Sequence, residues 1–133
     1  MSGCYLDASA LVKLATPEAE TRALRRALDR YDTRLTSRLA MVEVARALVR
    51  RGVTSAALVD AVAEAFTGLA VVELDPVVAE AAGTVAPPTL RSLDAVHLAS
   101  ALSIREDLTA VITYYHRLAD AARAAGLDVM APG

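Results

Sequence analysis

Short apolar runs alternate along this chain with longer stretches whose apolar residues recur about every three or four positions, the signatures of buried strands and of amphipathic helices. Gly3 to Leu6 reads as a strand ending at Asp7, and Ala8 to Leu14 as a helix that Thr16-Pro17 interrupts. Pro17 suits a first helical position behind a Thr16 cap, so Glu18 to Arg30 is expected to be helical, with Ala23, Leu24, Ala27 and Leu28 inward. Tyr31 to Thr36 is a second strand candidate, and Ser37 a cap for a helix running to Arg50 and stopped by Gly52. Thr54 to Phe66 is again amphipathic, and Leu69 to Leu74 is a continuous apolar strand. Asp75-Pro76 opens a helix to about Ala82, Pro87-Pro88 breaks the chain, and Ser92 to Arg105 reads as a long apolar helix. Ala110 to Thr113 is the fourth strand, His116 to Ala125 the last helix, and Leu127 to Met130 the fifth strand.

Strands that alternate with helices predict a parallel sheet covered on both faces, because right-handed crossovers return each helix onto the sheet. At 133 residues with 55% apolar composition, one domain over 1–133 with a real core is expected. No apolar run approaches the ~20 residues that span a bilayer, and no basic segment leads into a signal-like stretch, so a cytoplasmic protein without membrane contact is expected. The lone Cys4 lies in an apolar run and is expected to be a small core residue. The net charge of −2 speaks against general affinity for nucleic acid, so any such contact is local; Lys13 is the only lysine, and arginine carries the remaining positive charge.

Function in open parallel sheets gathers at the carboxyl ends of strands, which ranks the acidic residues. Asp7 follows the first strand at once, although it also suits the cap of the next helix. Asp94 stands near the start of a helix apolar almost all round, where an acid needs hydrogen bonds, a cation or a raised pKa. Glu43 sits where the apolar arc of Ala40, Val44, Ala47 and Leu48 meets Arg46 and Arg50, an edge that can face a cleft but by itself better suits a surface pair with Arg46. Three such acids can converge at one end of a parallel sheet, and their repulsion then calls for a metal. Hard oxygen donors point to Mg2+ or Mn2+ and to phosphodiester hydrolysis.

The motifs Tyr5-Leu6-Asp7-Ala8-Ser9-Ala10-Leu11, Met41-Val42-Glu43-Val44 and Leu93-Asp94-Ala95-Val96-His97-Leu98-Ala99 resemble, in order and spacing, the acidic motifs of VapC-type PIN domains. Thr113-Tyr114-Tyr115-His116-Arg117-Leu118 extends the resemblance across nearly the whole chain. It implies a PIN-like three-layer α/β/α fold around a mainly parallel five-stranded sheet. The activity implied is that of a Mg2+- or Mn2+-dependent endoribonuclease toxin, a homodimer neutralised by a cognate antitoxin. Asp7, Glu43 and Asp94 would be its catalytic acids, with Asp7 and Asp94 on the metal. Ser9 would hydrogen-bond near Asp7, and Thr113, Tyr115 and His116 would stand beside the metal site or the RNA.

One position departs from the pattern. Where the family commonly has Thr-x-Asp, this chain reads Thr113-Tyr114-Tyr115, and a neutral phenol is a poor magnesium ligand. Weakened metal binding and reduced activity are expected, and a catalytically impaired PIN domain that binds antitoxin or RNA stands as the alternative. Asp120 and Asp107 are not obvious substitutes, and Asp75 reads as a helix cap. A receiver or dehalogenase-type phosphatase shares the architecture, but Ser9 occupies the place of the second acid that a dehalogenase needs. His97 is expected to make a hydrogen bond within the core. Arg46, Arg50 and Arg51 suit either RNA phosphates or a solvated face, and Leu24, Leu28, Leu58 and Val62 suit either a partner or the domain's own core.

Overall fold

The computed structural model describes residues 2–133. Five strands, β1 (Gly3–Leu6), β2 (Thr33–Ser37), β3 (Ala70–Val72), β4 (Ala110–Ile112) and β5 (Val129–Met130), pair in the order β3-β2-β1-β4-β5, every pair parallel. Seven helices connect them: α1 (Ala8–Ala15), α2 (Thr21–Leu28), α3 (Leu39–Arg50), α4 (Ser55–Phe66), α5 (Pro76–Ala82), α6 (Ser92–Ser103) and α7 (His116–Ala124), with a single 3-10 turn at Arg105–Asp107. The expected α/β sandwich is therefore found, with a sheet parallel throughout.

Strand alternation sorts the core into two layers. Cys4 and Leu6 of β1 and Ile112 of β4 pack with Leu11, Leu14, Leu24, Leu28, Val44 and Leu48. Tyr5 and Val111 point the other way, onto Leu98, Ala101, Leu118, Ala121 and Ala122. Helices α1 to α4 thus cover one face, and α6 and α7 the other. The change of face follows from topology: the chain builds outward from β1 to β3 and then returns to β1's free edge as β4, so right-handed crossovers must fall on opposite sides. Leu24 and Leu28 are buried in the first layer, with Leu58 and Val62 packed against it, so these four belong to the chain's own core.

Several boundaries differ from the pattern reading. Pro17 opens no helix: the Thr16 hydroxyl turns back to the Val12 carbonyl at 3.3 Å, and the Thr21 hydroxyl donates to the Lys13 carbonyl at 2.7 Å while accepting from Glu18 N at 2.8 Å. Lys13 also holds Glu20 at 3.2 Å, so local side-chain bonds keep 16–20 as a loop and α2 begins at Thr21. Strand β2 starts at Thr33 rather than Tyr31 because its partner β1 starts at Gly3, with Gly3 in register with Thr33. Edge strand β3 ends at Val72, where its pairing with Ser37 ends, and Leu74 lies exposed. The predicted stops at Gly52 and Gly126 coincide with left-handed backbone, φ +85° and +90°. Among the described residues no helix is long and apolar enough to cross a membrane.

Candidate active site

Reversal of strand order puts a crevice between β1 and β4, at their carboxyl ends, and Asp7 stands there as the first residue after β1. Its carboxylate is completely buried. Oδ1 accepts the Ser9 hydroxyl at 2.6 Å and the Ala10 N–H at 3.1 Å, so the aspartate caps α1. Oδ2 accepts the Thr113 hydroxyl at 2.5 Å, across the crevice from the end of β4. Ser9 Oγ in turn accepts the Tyr114 N–H at 2.9 Å, and Thr113 Oγ1 accepts the Tyr115 N–H at 3.1 Å. The capping role and the role in the crevice are thus carried by different oxygens of one side chain.

A hollow of about 830 Å3 opens beside this crevice. Glu43 of α3 and Asp94 of α6 line it, together with Tyr115 and His116 at the start of α7. Arg46 and Arg50 of α3 stand on its wall, as do Arg91 and Arg117. None of these four arginines forms an ion pair among the described residues, whereas Arg51 is turned away to Thr16 Oγ1 at 2.9 Å and Glu18 at 3.5 Å. Of the three arginines singled out from the sequence, two face the hollow and one serves the α1 to α2 loop.

Electrostatics mark the same place. Burial raises the Asp7 pKa above its ordinary value, opposed by the Ser9 and Thr113 hydroxyls and by the Ala10 N–H. Burial also raises Asp94, with Glu43 adding to the rise and Arg91 and Arg117 opposing it. The half-exposed Tyr115 phenol is pushed up by burial and then by Asp7, Glu43 and Asp94, so all three acids act on the position where the sequence motif lacks its acid.

Glu43 is held differently. Its Oε1 stands 2.5 Å from His97 Nε2, and His97 Nδ1 stands 2.7 Å from the Tyr5 hydroxyl. The expected core hydrogen bond of His97 is therefore present, but its partner is one of the candidate acids, a connection the sequence reading missed. Among the described residues no three His, Cys, Asp or Glu side chains stand at metal-coordinating spacing. Asp120 is exposed and pairs with Arg123, and Asp75 caps α5 through Val78 N at 2.8 Å, so neither supplies a further acid. The Tyr114 hydroxyl donates to the Pro132 carbonyl at 2.6 Å, and Lys13 Nζ lies 4.6 Å from its ring centre.

Residues 4–124 match the model of the PIN domain family. Ribonuclease VapC46 of Mycobacterium tuberculosis is 42% identical over 132 residues, covering 99% of this chain and 99% of that protein. Ribonuclease VapC35 of the same organism is 44% identical over 133 residues, covering 97% and 96%. Among solved structures, M. tuberculosis VapC20, described as a sarcin-ricin loop cleaving toxin, superposes with a TM-score of 0.69 at 18% identity, covering 97% of this chain and 99% of that one. A toxin-antitoxin complex from Klebsiella pneumoniae gives 0.72 at 20% identity, with 98% of both chains covered. Family model, full-length relatives and fold agree, and the chain belongs to the PIN domain family, in its VapC ribonuclease branch.

Proposed function

We propose that this protein is a divalent-metal-dependent endoribonuclease toxin that hydrolyses RNA phosphodiester bonds and is restrained by a cognate antitoxin. The observation that carries the reading is that Asp7 and Asp94, both desolvated and neither bonded to a basic side chain, act together with Glu43 on Tyr115 beside the switch point of the sheet. A carboxylate offers roughly four acceptor positions, and Asp7 has three of them filled by Ser9, Ala10 and Thr113, which leaves one on Oδ2.

Two hard oxygen donors fit Mg2+ or Mn2+, ions that keep several waters and take one or two carboxylates, better than a cation that requires a closed cage. Asp7 and Asp94 would hold it. When bound, a divalent ion supplies positive charge against the charge growing on the phosphodiester and acidifies a neighbouring water. Glu43 faces the same hollow and would orient the attacking water or accept its proton. Arg46, Arg50, Arg91 and Arg117, free of ion pairs, would meet flanking RNA phosphates, for which the planar guanidinium is well shaped. Ser9 and Thr113 fix the Asp7 carboxylate, while Tyr115 and His116, which line the hollow, would meet the entering RNA. A second copy of the chain and the antitoxin complete the partners of this reading.

Cleavage of a structured RNA by the purified chain is expected with Mg2+ or Mn2+ and is expected to stop on adding EDTA. Cleavage indifferent to EDTA would overturn the mechanism. Tyr115 favours a second reading, a PIN domain that binds antitoxin or RNA without cutting; saturable RNA binding with no cleavage at any Mn2+ concentration would select it.

A further inference from the structure

His97 has no part in the reading above, although its surroundings are unlike those of a residue that only fills space. It lies three positions after Asp94 on α6 and is 2% exposed. Its ring stands edge-on to Tyr5, with centroids 5.8 Å apart and planes at 72°. A leucine there would bring no polar atoms into the core, whereas an imidazole brings two that must be bonded. Both are bonded, and no buried side-chain nitrogen or oxygen among the described residues lacks a partner. The two hydrogen bonds run from Tyr5 of β1 through His97 of α6 to Glu43 of α3, joining the three elements whose residues, or whose end, carry Asp7, Asp94 and Glu43.

We propose that His97 is a positioning residue: the Tyr5 hydroxyl donates to Nδ1, the ring proton therefore sits on Nε2, and Nε2–H clamps Glu43 Oε1 so that Oε2 alone is presented to the hollow. Burial keeps Tyr5 a phenol, so its proton is available to Nδ1. A bond from N–H to a carboxylate is stronger than one between neutral groups, and it removes the rotational freedom of a glutamate that otherwise sweeps the hollow. With Oε1 occupied, Oε2 is the oxygen left to orient the attacking water, the role given to Glu43 above. The proposal rests on the ribonuclease reading for its kinetic consequence but not for its geometry.

Two readouts separate the two. The first needs no activity: 15N-edited NMR of the histidine rings in the full chain is expected to show the His97 proton on Nε2, and to keep it there in Tyr5→Phe, where Nδ1 loses its partner but Nε2–H still meets the Glu43 carboxylate. A wild-type proton on Nδ1 overturns the proposal even in an active enzyme. The second compares His97→Leu with His97→Gln, whose amide nitrogen can still donate to Glu43. His97→Leu is expected to lower kcat about 10- to 100-fold, while KM and the Mn2+ dissociation constant stay as in the wild type. His97→Gln is expected to regain most of the loss. A wild-type kcat in His97→Leu, or a folded His97→Gln as slow as His97→Leu, overturns the proposal. Should leucine at 97 prevent folding, the NMR result alone decides the proposal. A wild-type chain without metal-dependent cleavage defeats the ribonuclease reading instead, and the NMR result then decides the proposal.

Discussion

Asp7 holds the end of β4 to the start of α1 only by keeping a carboxylate out of water, and neutral partners compensate a buried charge incompletely. The sign of the consequence follows from its raised pKa. Between the ordinary value of 3.8 and the raised one, the folded chain holds more protons than the unfolded chain, so stability falls as pH rises through that window and stays lower above it. Asp7→Asn keeps acceptors for Ser9 and Ala10 and removes the charge. It is expected to raise stability at pH 7 by about 1 kcal/mol while abolishing cleavage, a trade usual at catalytic acids. Urea unfolding checks this, and the gain should shrink toward pH 3; a variant less stable than wild type at pH 7 would show that the hydrogen bonds outweigh desolvation. Tyr115 presents the opposite case, a neutral group facing three acids. Tyr115→Asp is expected to tighten Mn2+ by about tenfold or more, near 1.4 kcal/mol, and to speed cleavage, because it adds a hard oxygen to the two already there. Calorimetric titration showing no change in affinity would remove position 115 from the metal site.

At the scale of elements, helix and strand identities were legible because period is a local property: every strand and helix expected from the alternation exists, and the misplacements are at ends. Those ends depend on partners that a local pattern does not contain. Pro17 and Thr16 look like a helix start until Lys13 and Thr21 are seen to hold the loop, and β3 is cut short by the length of β2. The candidate acids at positions 7 and 94 were legible through their awkward contexts and Glu43 only through the motif it sits in, while the Glu43 to His97 to Tyr5 chain was not. Its members are 54 and 92 positions apart, and only a polar ring on a buried face hinted at it. Helix α3 shows what an element adds to its residues: one face sends Val44 and Leu48 into the core, and its edge sets Glu43, Arg46 and Arg50 along the hollow. Replacing both Arg46 and Arg50 by alanine is expected to raise KM for RNA several-fold with little change in kcat. The slope of log(kcat/KM) against log salt should flatten by about 1.4, the value for two lost contacts to single-stranded phosphates. An unaltered salt slope would mark the pair as a solvated face.

For the whole molecule, the decisive step is one that pattern reading does not reach: β4 returns beside β1 instead of extending the sheet past β3. That single choice places Thr113 against Asp7 and swings α6 and α7 onto the face opposite α1 to α4, so that α3 and α6 meet across the crevice with one acid each. A site assembled from β1, α3, α6 and the β4 end exists only in the folded chain, and an ion that binds it must therefore stabilise the fold as a whole. At a free concentration 100 times its dissociation constant, the ion adds about 2.7 kcal/mol, which for a domain of this size raises Tm by about 10 °C. Thermal unfolding in Mn2+ against NaCl of matched ionic strength is expected to show that rise in the wild type and little of it in an Asp7→Asn, Asp94→Asn double variant. The double variant should begin from a higher Tm in the absence of metal, since it lacks the two desolvated charges, so the curves of the two proteins are expected to approach one another as Mn2+ is added. Equal metal-induced shifts in both would mean that the ion binds elsewhere on the molecule, and the carboxylates at the switch point would then need another explanation.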